Sequence, residues 1–183
     1  MGESAMGLKA ILETSRTRLR RFTTRDLDVV AAMVKDQEQM RFYPRPRTRD
    51  EASAWIDRNL SLYEKHGFGI WFIESIAASE FLGYCGVRPI TVEGVEETEI
   101  GWHTRKKFWS QKFATEAARA CRDLAFSQLG AERLIALIDP TNVASVRVAE
   151  KIGMRPEREA VVDDYACVIY AVESGPRLNG DFG

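Results

Sequence analysis

Residues Glu99 to Ala117, EIGWHTRKKFWSQKFATEA, run from a strand-like start through a basic, aromatic loop into a helix that opens near Ala114. A strand that feeds a helix N-terminus this way presents unpaired backbone N–H groups, and the helix dipole favours negative charge there, so the segment can hold an anion. About forty residues on, Asn142 to Met154, NVASVRVAEKIGM, reads as a second short helix with Asn at its start and Gly at its stop. The other reactive side chains offer less. Cys85, Cys121 and Cys167 sit far apart in apolar stretches without CxxC spacing, and with His66 and His103 they make no recognisable Cys/His arrangement. Reduced, packed thiols in a cytoplasmic protein are the expectation.

The elements that must position these residues alternate along the chain without a linker-like break. A short strand is expected at Leu19–Phe22. Leu27, Val30, Ala31 and Val34 then fall on one helical face, with Thr24 as N-cap and Asp26 in the first turn. A second helix follows Thr48, with Ala52, Trp55, Ile56, Asn59 and Tyr63 on one side, and ends at His66-Gly67. Strands at Gly69–Ile76, Phe81–Arg88 and Thr98–His103 follow, with Ala77–Glu80 and Pro89–Glu96 read as turns of an antiparallel meander. The alanine-rich stripe Ala114, Ala117, Ala118, Cys121, Leu124 and Ala125 makes a helix that can pack closely on a sheet. Leu134–Ile138 is a compact strand stopped by Asp139-Pro140. Ser145, Val148, Ala149 and Ile152 share a helical face, and strand signals return at Ala160–Val162 and Ala166–Val172. The pattern indicates one mixed α/β or α+β domain around a single sheet.

A chain of 183 residues with net charge −1 is long enough for one sizeable core and carries no global pull toward nucleic acid. No apolar run reaches the roughly 18 residues of a membrane span. The start, MGESAMGLKA, has neither the basic and apolar regions of a signal peptide nor a Ser or Thr at position six for myristoylation. A cytoplasmic protein with no nucleic-acid or membrane partner is expected.

Taken in order and spacing, EIGW at Glu99–Trp102, WSQKFATEA at Trp109–Ala117, and the pattern Asn142, Ser145, Val148, Glu150-Lys151, Gly153-Met154 resemble the GNAT superfamily of acyl-CoA-dependent N-acetyltransferases, and within it the RimJ/RimL-like branch. The resemblance runs from about Thr14 to Glu173, with LRRFTTRDLDVV and MRFYPRPRTRDEASAWI matching the branch's first strand and first two helices. It implies a GNAT-type α+β fold with a central, mostly antiparallel twisted sheet of about seven strands flanked by about four helices. The expected division is an N-terminal extension over 1–13, the acetyltransferase domain over 14–175 and a disordered tail over 176–183.

The resemblance also implies a site for acetyl-CoA as cosubstrate, with no metal. The pyrophosphate would rest on the backbone of Ser110, Gln111, Lys112, Phe113, Ala114 and Thr115. The pantetheine arm would pair like a strand with Trp102, His103 and Thr104, so that main-chain groups matter there more than side chains. Asn142 would bond the pantetheine arm, cap its helix, or do both. Glu99 is the candidate general base, since an α-amino group with a pKa near 8 must lose a proton before attack on a thioester. The alternative for Glu99 is a surface glutamate in the acidic run Glu93, Glu96, Glu97 and Glu99. Ser145 is a candidate contact to the coenzyme sulfur. Many family members carry an acidic Tyr at the position of Ala149, and a thiolate leaves tolerably without one.

Two departures stand out. Trp109, Lys112 and Ala114 occupy the three positions where the phosphate loop usually has Arg or Gln, Gly, and Gly or Ala. Gly is the residue suited to positive φ and close approach, so Lys112 can donate its N–H if its φ stays negative and add its ammonium's attraction to phosphate, or else the loop has drifted and binds the coenzyme more weakly. Arg105, Lys106 and Lys107 read as a solvated basic turn or as phosphate contacts. Phe42, Tyr43, Phe68, Trp71 and Tyr165 are candidate walls of an acceptor pocket. Arg41, Arg45, Arg47 and Arg49 form a basic lip, or a solvated loop, beside it. The implied activity is acetyl transfer to a primary amine, most simply a protein or peptide N-terminus. The alternatives are a small amine such as an aminoglycoside or polyamine, or an acyl-CoA-binding module without catalysis. A monomer or homodimer fits the branch.

Overall fold

The computed structural model describes residues 9–162 and 165–175. Strands β1 (Ala10–Glu13), β2 (Thr17–Arg20), β3 (Ile70–Ser75), β4 (Phe81–Val92), β5 (Val95–Thr104), β6 (Arg133–Ile138), β7 (Arg155–Val162) and β8 (Tyr165–Glu173) form one sheet in the order β1-β2-β3-β4-β5-β6-β8-β7. All neighbours are antiparallel except β5 and β6. Helices α1 (Leu27–Lys35) and α2 (Arg49–His66) cover one face, and α3 (Phe113–Ser127) and α4 (Val143–Lys151) cover the other.

Alternation along the central strands explains the two layers. Ile70 and Phe72 of β3 and Phe81 of β4 pack with Val30, Met33, Val34 and Ile56 of α1 and α2. Their sequence neighbours Trp71, Ile73 and Leu82, and Cys85 farther along β4, belong to the other cluster, with the small residues Ala117, Ala118, Cys121 and Ala125 of α3. The alanines let α3 approach closely and fix where its N-terminus meets the end of β5.

The helix signals hold at α2: Thr48 accepts from Glu51 N–H, Glu51 returns a bond from Thr48 N–H, and Gly67 ends the helix at φ 80°. At α1 the turn begins one residue earlier than expected. Thr23, not Thr24, caps a 3₁₀ turn and donates its N–H to Asp26 at 2.8 Å. Asp26 is committed to that turn and to Arg20, whose guanidinium donates twice to it at 2.8 and 2.9 Å.

Three strand assignments are corrected. Pro89–Glu96 is not a turn: β4 and β5 pair from Gly83↔Thr104 to Val92↔Val95, and only Glu93 and Gly94, at φ 50° and 84°, turn the chain. Pro89 is tolerated because β3 stops at Ile70, opposite Gly86, which leaves β4 one partner beyond it. The first strand of the domain lies at Thr17–Arg20 rather than Leu19–Phe22, and Ala10–Glu13, within the stretch read as an extension, adds an edge strand against it. The strand expected at Ala160–Val162 starts at Arg155. These bring the total to eight among the described residues. The tail expected to be disordered lies outside them.

Candidate functional site

The parallel pair β5 and β6 touches in register at a single position, Glu99↔Ile135, while β4 stays paired with β5 up to Thr104. Beyond Glu99, the edge of β5 that faces β6 is therefore without a strand partner from Ile100 onward. That V-shaped opening is floored by the N-terminus of α3 and the side of α4. A cleft of about 490 Å³ occupies it, lined by Trp102, His103, Thr104, Ser110, Lys112, Phe113, Ala114, Thr115, Asn142 and Ser145. These are all the coenzyme contacts expected from the sequence except Gln111, and they include Ser145. Gln111 turns away: its carbonyl accepts from the Arg16 guanidinium, and its side chain donates to Lys107 O at 3.0 Å.

The condition of a negative φ is not met at Lys112. Its φ is +68°, the left-handed region, and Ser110 stands at +62°. The loop therefore keeps the backbone shape that glycine normally supplies, with a side chain attached at a cost of about 1 kcal/mol per position. Lys112 is also the N-cap of α3 and offers no side-chain cap to the helix. The N–H groups of the first turn thus face the cleft with no capping side chain between them and an incoming anion. Replacing Lys112 with Gly should hold or raise stability by up to about 1 kcal/mol, and replacing it with Val should lower stability by a similar amount or more. Equal unfolding midpoints for the two variants would show that the left-handed geometry carries no strain.

Arg16, in the β1–β2 turn, braces this loop from outside. It pairs with Glu116 of α3 at 2.6 Å, lies 4.3 Å over the Phe113 ring and donates to Gln111 O. Burial pushes the Glu116 carboxyl up, but bonds from Thr14 and Arg16 outweigh it and leave the pKa lowered. The one carboxylate in the first turn of α3 is thereby neutralised beside the anion site. Nothing in the spacing of the sequence singled out Arg16.

A second hub lies at the other end of the loop. The imidazole Nε2–H of His103 donates to Gln39 O, which leaves Nδ1 to accept from the Tyr84 hydroxyl, both at 3.1 Å. Gln39 in turn accepts the Lys106 N–H at 2.7 Å and donates to Met33 O. His103, expected to contribute only main chain, thus ties α1 to the end of β5 and the start of the loop. Enclosed by Tyr43, which stacks on it, and Tyr84, it loses hydration, and its pKa falls to about 4.

A proton that the unfolded chain takes up near pH 6.5 is therefore refused by the native state until about pH 4. Stability should fall as pH drops through that window, by roughly 3 kcal/mol in all. His103→Asn should flatten this slope in unfolding curves between pH 4 and 7. An unchanged slope would assign it to other groups.

Beyond Trp102 the first cleft opens into a second, of about 1150 Å³, between α2 and the β6–β8 region. The two share Phe42, Tyr43, Trp102, Asn142 and Ser145. Glu99 lines the second one, 14% exposed, with Arg88 Nε donating to its Oε2 at 2.6 Å. Arg88 stands directly opposite Glu99 in the β4–β5 ladder. Among the described residues Oε1 has no protein partner and stays available to an amine or a water. Asn142 Oδ1 accepts Ser145 N–H at 3.2 Å, so the cap is formed and the amide NH₂ remains to donate. Ala149 is fully buried in the core.

Of the acceptor walls expected, Phe42, Tyr43 and Tyr165 line the second cleft. Trp71 is 1% exposed in the core and Phe68 packs against it, and neither lines the cleft. Arg105 and Lys107 turn to Glu80, and Lys106 pairs with Glu38, so the basic turn is engaged in local ion pairs.

The split strands, the uncapped helix and the adjoining groove are those of an acyl-CoA-dependent transferase. The acetyltransferase (GNAT) domain family matches residues 16–155, and the chain belongs to this family. It is an N-acetyltransferase, and the family uses acetyl-CoA. Among its relatives, the uncharacterized protein YkkB of Bacillus subtilis (strain 168) is 37% identical over 150 residues, 81% of this chain and 87% of YkkB. Among solved structures, an acetyltransferase from Agrobacterium tumefaciens str. C58 superposes with TM-score 0.80 at 23% identity, over 95% of this chain and 99% of that one. The ribosomal L7/L12 α-N-protein acetyltransferase RimL, in complex with coenzyme A, gives TM-score 0.75 at 16% identity, over 90% and 98%. No helix of the described residues is long and apolar enough to cross a membrane.

Proposed function

We propose that this chain acetylates the N-terminal amine of a protein or peptide, by direct attack of the amine on the thioester of acetyl-CoA. The observation that carries this reading is the junction of the two clefts at Trp102, Asn142 and Ser145, with Glu99 on the far side. The coenzyme enters from the first cleft, its pyrophosphate on the N–H groups at Ser110–Thr115 and its pantetheine arm along Trp102–Thr104. Asn142 donates to that arm. The acceptor enters from the second cleft, whose 1150 Å³ is larger than a typical small-molecule pocket of roughly 300–1,000 Å³.

Glu99 accepts a proton from the ammonium, directly or through a water, and the freed nitrogen attacks the acetyl carbon. A backbone N–H on the open edge near Trp102 stabilises the oxyanion. The C–S bond then breaks as the tetrahedral nitrogen gives its remaining extra proton to the departing thiolate, the neutral amide leaves by the second cleft, and Ser145 lies where it can bond the sulfur. The cations Arg47, Arg58 and Lys65 along the second cleft weigh against polyamines and aminoglycosides, which are themselves polycationic. The name of RimL, an α-N-protein acetyltransferase, agrees with the reading.

Calorimetry with acetyl-CoA followed by a thiol-release assay over peptides, polyamines and aminoglycosides tests it. Binding with turnover on peptides is expected. Turnover confined to small amines overturns the acceptor assignment, and binding without turnover on the whole panel favours a non-catalytic acyl-CoA-binding module.

A further inference from the structure

The four arginines of the α1–α2 connection have different fates. Arg45 pairs with Glu51 and Arg49 with Asp28, each at 2.6 Å, and Arg41 lies over Phe42 and Trp109 at 4.7 and 5.0 Å. Arg47 is set apart. Its backbone N–H donates to Val34 O, which fixes its place in the connection, while its side chain lines the second cleft beside the Tyr43 ring. Among the described residues its half-buried guanidinium meets no carboxylate and no hydrogen-bond acceptor. Arg58 and Lys65 line the same cleft and likewise pair with no carboxylate among the described residues. Of the three carboxylates lining the cleft, Glu99 and Asp139 lie with β5 and the end of β6, whereas Asp57 stands on α2, where Arg47, Arg58 and Lys65 outnumber it. The cleft is thus polarised. Its inner end suits an ammonium, and the wall formed by α2 and the connection before it suits an anion.

We propose that Arg47 is a specificity-determining residue that binds a carboxylate on the acceptor, so that the preferred substrate is a peptide with acidic residues directly after its N-terminal amine. This deepens the N-terminal reading above and rests on it. A guanidinium without a protein partner binds a carboxylate through two parallel N–H···O bonds, and a single ammonium cannot reproduce that geometry. Arg58 and Lys65 extend the positive field outward but lack the neighbouring Tyr43 ring, whose centroid lies 5.9 Å from the Arg47 guanidinium.

The test uses the full chain, acetyl-CoA and three synthetic peptides that share one N-terminal residue and carry Ala-Ala, Asp-Glu or Lys-Lys next. Wild-type kcat/KM should be at least about tenfold higher for the acidic peptide than for the neutral one, mostly through KM. Arg47→Gln should bring that ratio close to one, Arg47→Lys should keep part of it, and Arg47→Glu should turn preference toward the lysine peptide. A purely structural role would lower all three peptides alike and leave the ratio standing, which overturns the proposal, as does a wild-type enzyme indifferent to peptide charge. If no peptide reacts but free acidic amino acids do, with the same dependence on Arg47, the peptide reading fails and the carboxylate site stands. Acetylation confined to amines without a carboxylate, or to none of these acceptors, overturns both.

Discussion

Glu99→Gln should lower kcat by roughly 10²–10⁴-fold, while the dissociation constant of acetyl-CoA stays within about twofold. The asymmetry follows from placement. Glu99 lines the second cleft and not the first, so its loss removes a proton acceptor without touching the loop at Ser110–Thr115. Gln retains the shape and a carbonyl oxygen that can accept from Arg88, so the β4–β5 ladder is undisturbed. It cannot take a proton from the ammonium. Arg88 holds only Oε2, through its Nε, which leaves Oε1 for the acceptor. Stopped-flow thiol release with a saturating acceptor, together with calorimetry on the same preparation, reads both quantities. Unchanged turnover would remove Glu99 from the mechanism. A parallel loss of coenzyme affinity would mean that it acts through the strand and not as a base.

How much of this was readable in advance differs with the range of the interaction. Thr48 and Glu51 stand three residues apart, and Gly67 follows the helix directly, so the bounds of α2 could be read from local chemistry alone. The cap at Asn142 was equally local. The β4–β5 hairpin was hidden because Pro89 and the run of Thr and Glu after it resemble a turn, whereas the true signal is the short pair Glu93-Gly94. The strands read at Phe81–Arg88 and Thr98–His103 already held Arg88 and Glu99, but their exact register, Arg88↔Glu99, follows from the two-residue turn. Gln39, Tyr84 and His103 come from three separate elements, and no spacing rule brings them together. Lys112 shows a further limit. Its φ of 68° lies in the region that glycine adopts most readily, and a lysine there gives no local sign of that backbone shape.

The largest stability effect is expected at Gly83, where the same principle runs without exception. Its φ is +145°, and a Cβ built there would lie 2.1 Å from His103 O and 2.7 Å from Thr104 Cα. Both contacts are backbone, so neither can yield by a rotamer change. Gly83→Ala should therefore cost about 3 kcal/mol or more, from strain and overlap together. The strand can escape only by moving β4 away from β5 at the register Gly83↔Thr104, beside the open edge of β5. Gly101 provides the contrast on the facing strand. A Cβ there finds Ile70 Cδ1 at 3.9 Å as its nearest neighbour, an ordinary contact, so Gly101→Ala should change stability by less than about 1 kcal/mol. Denaturant unfolding of the two variants separates overlap from the general effect of removing a strand glycine. If Gly83→Ala proved as mild as Gly101→Ala, the close approach of β4 to His103 and Thr104 would not be what holds the open edge in place. A large loss at Gly83 alone would put the alignment of that edge on a residue with no side chain and no contact to the substrates.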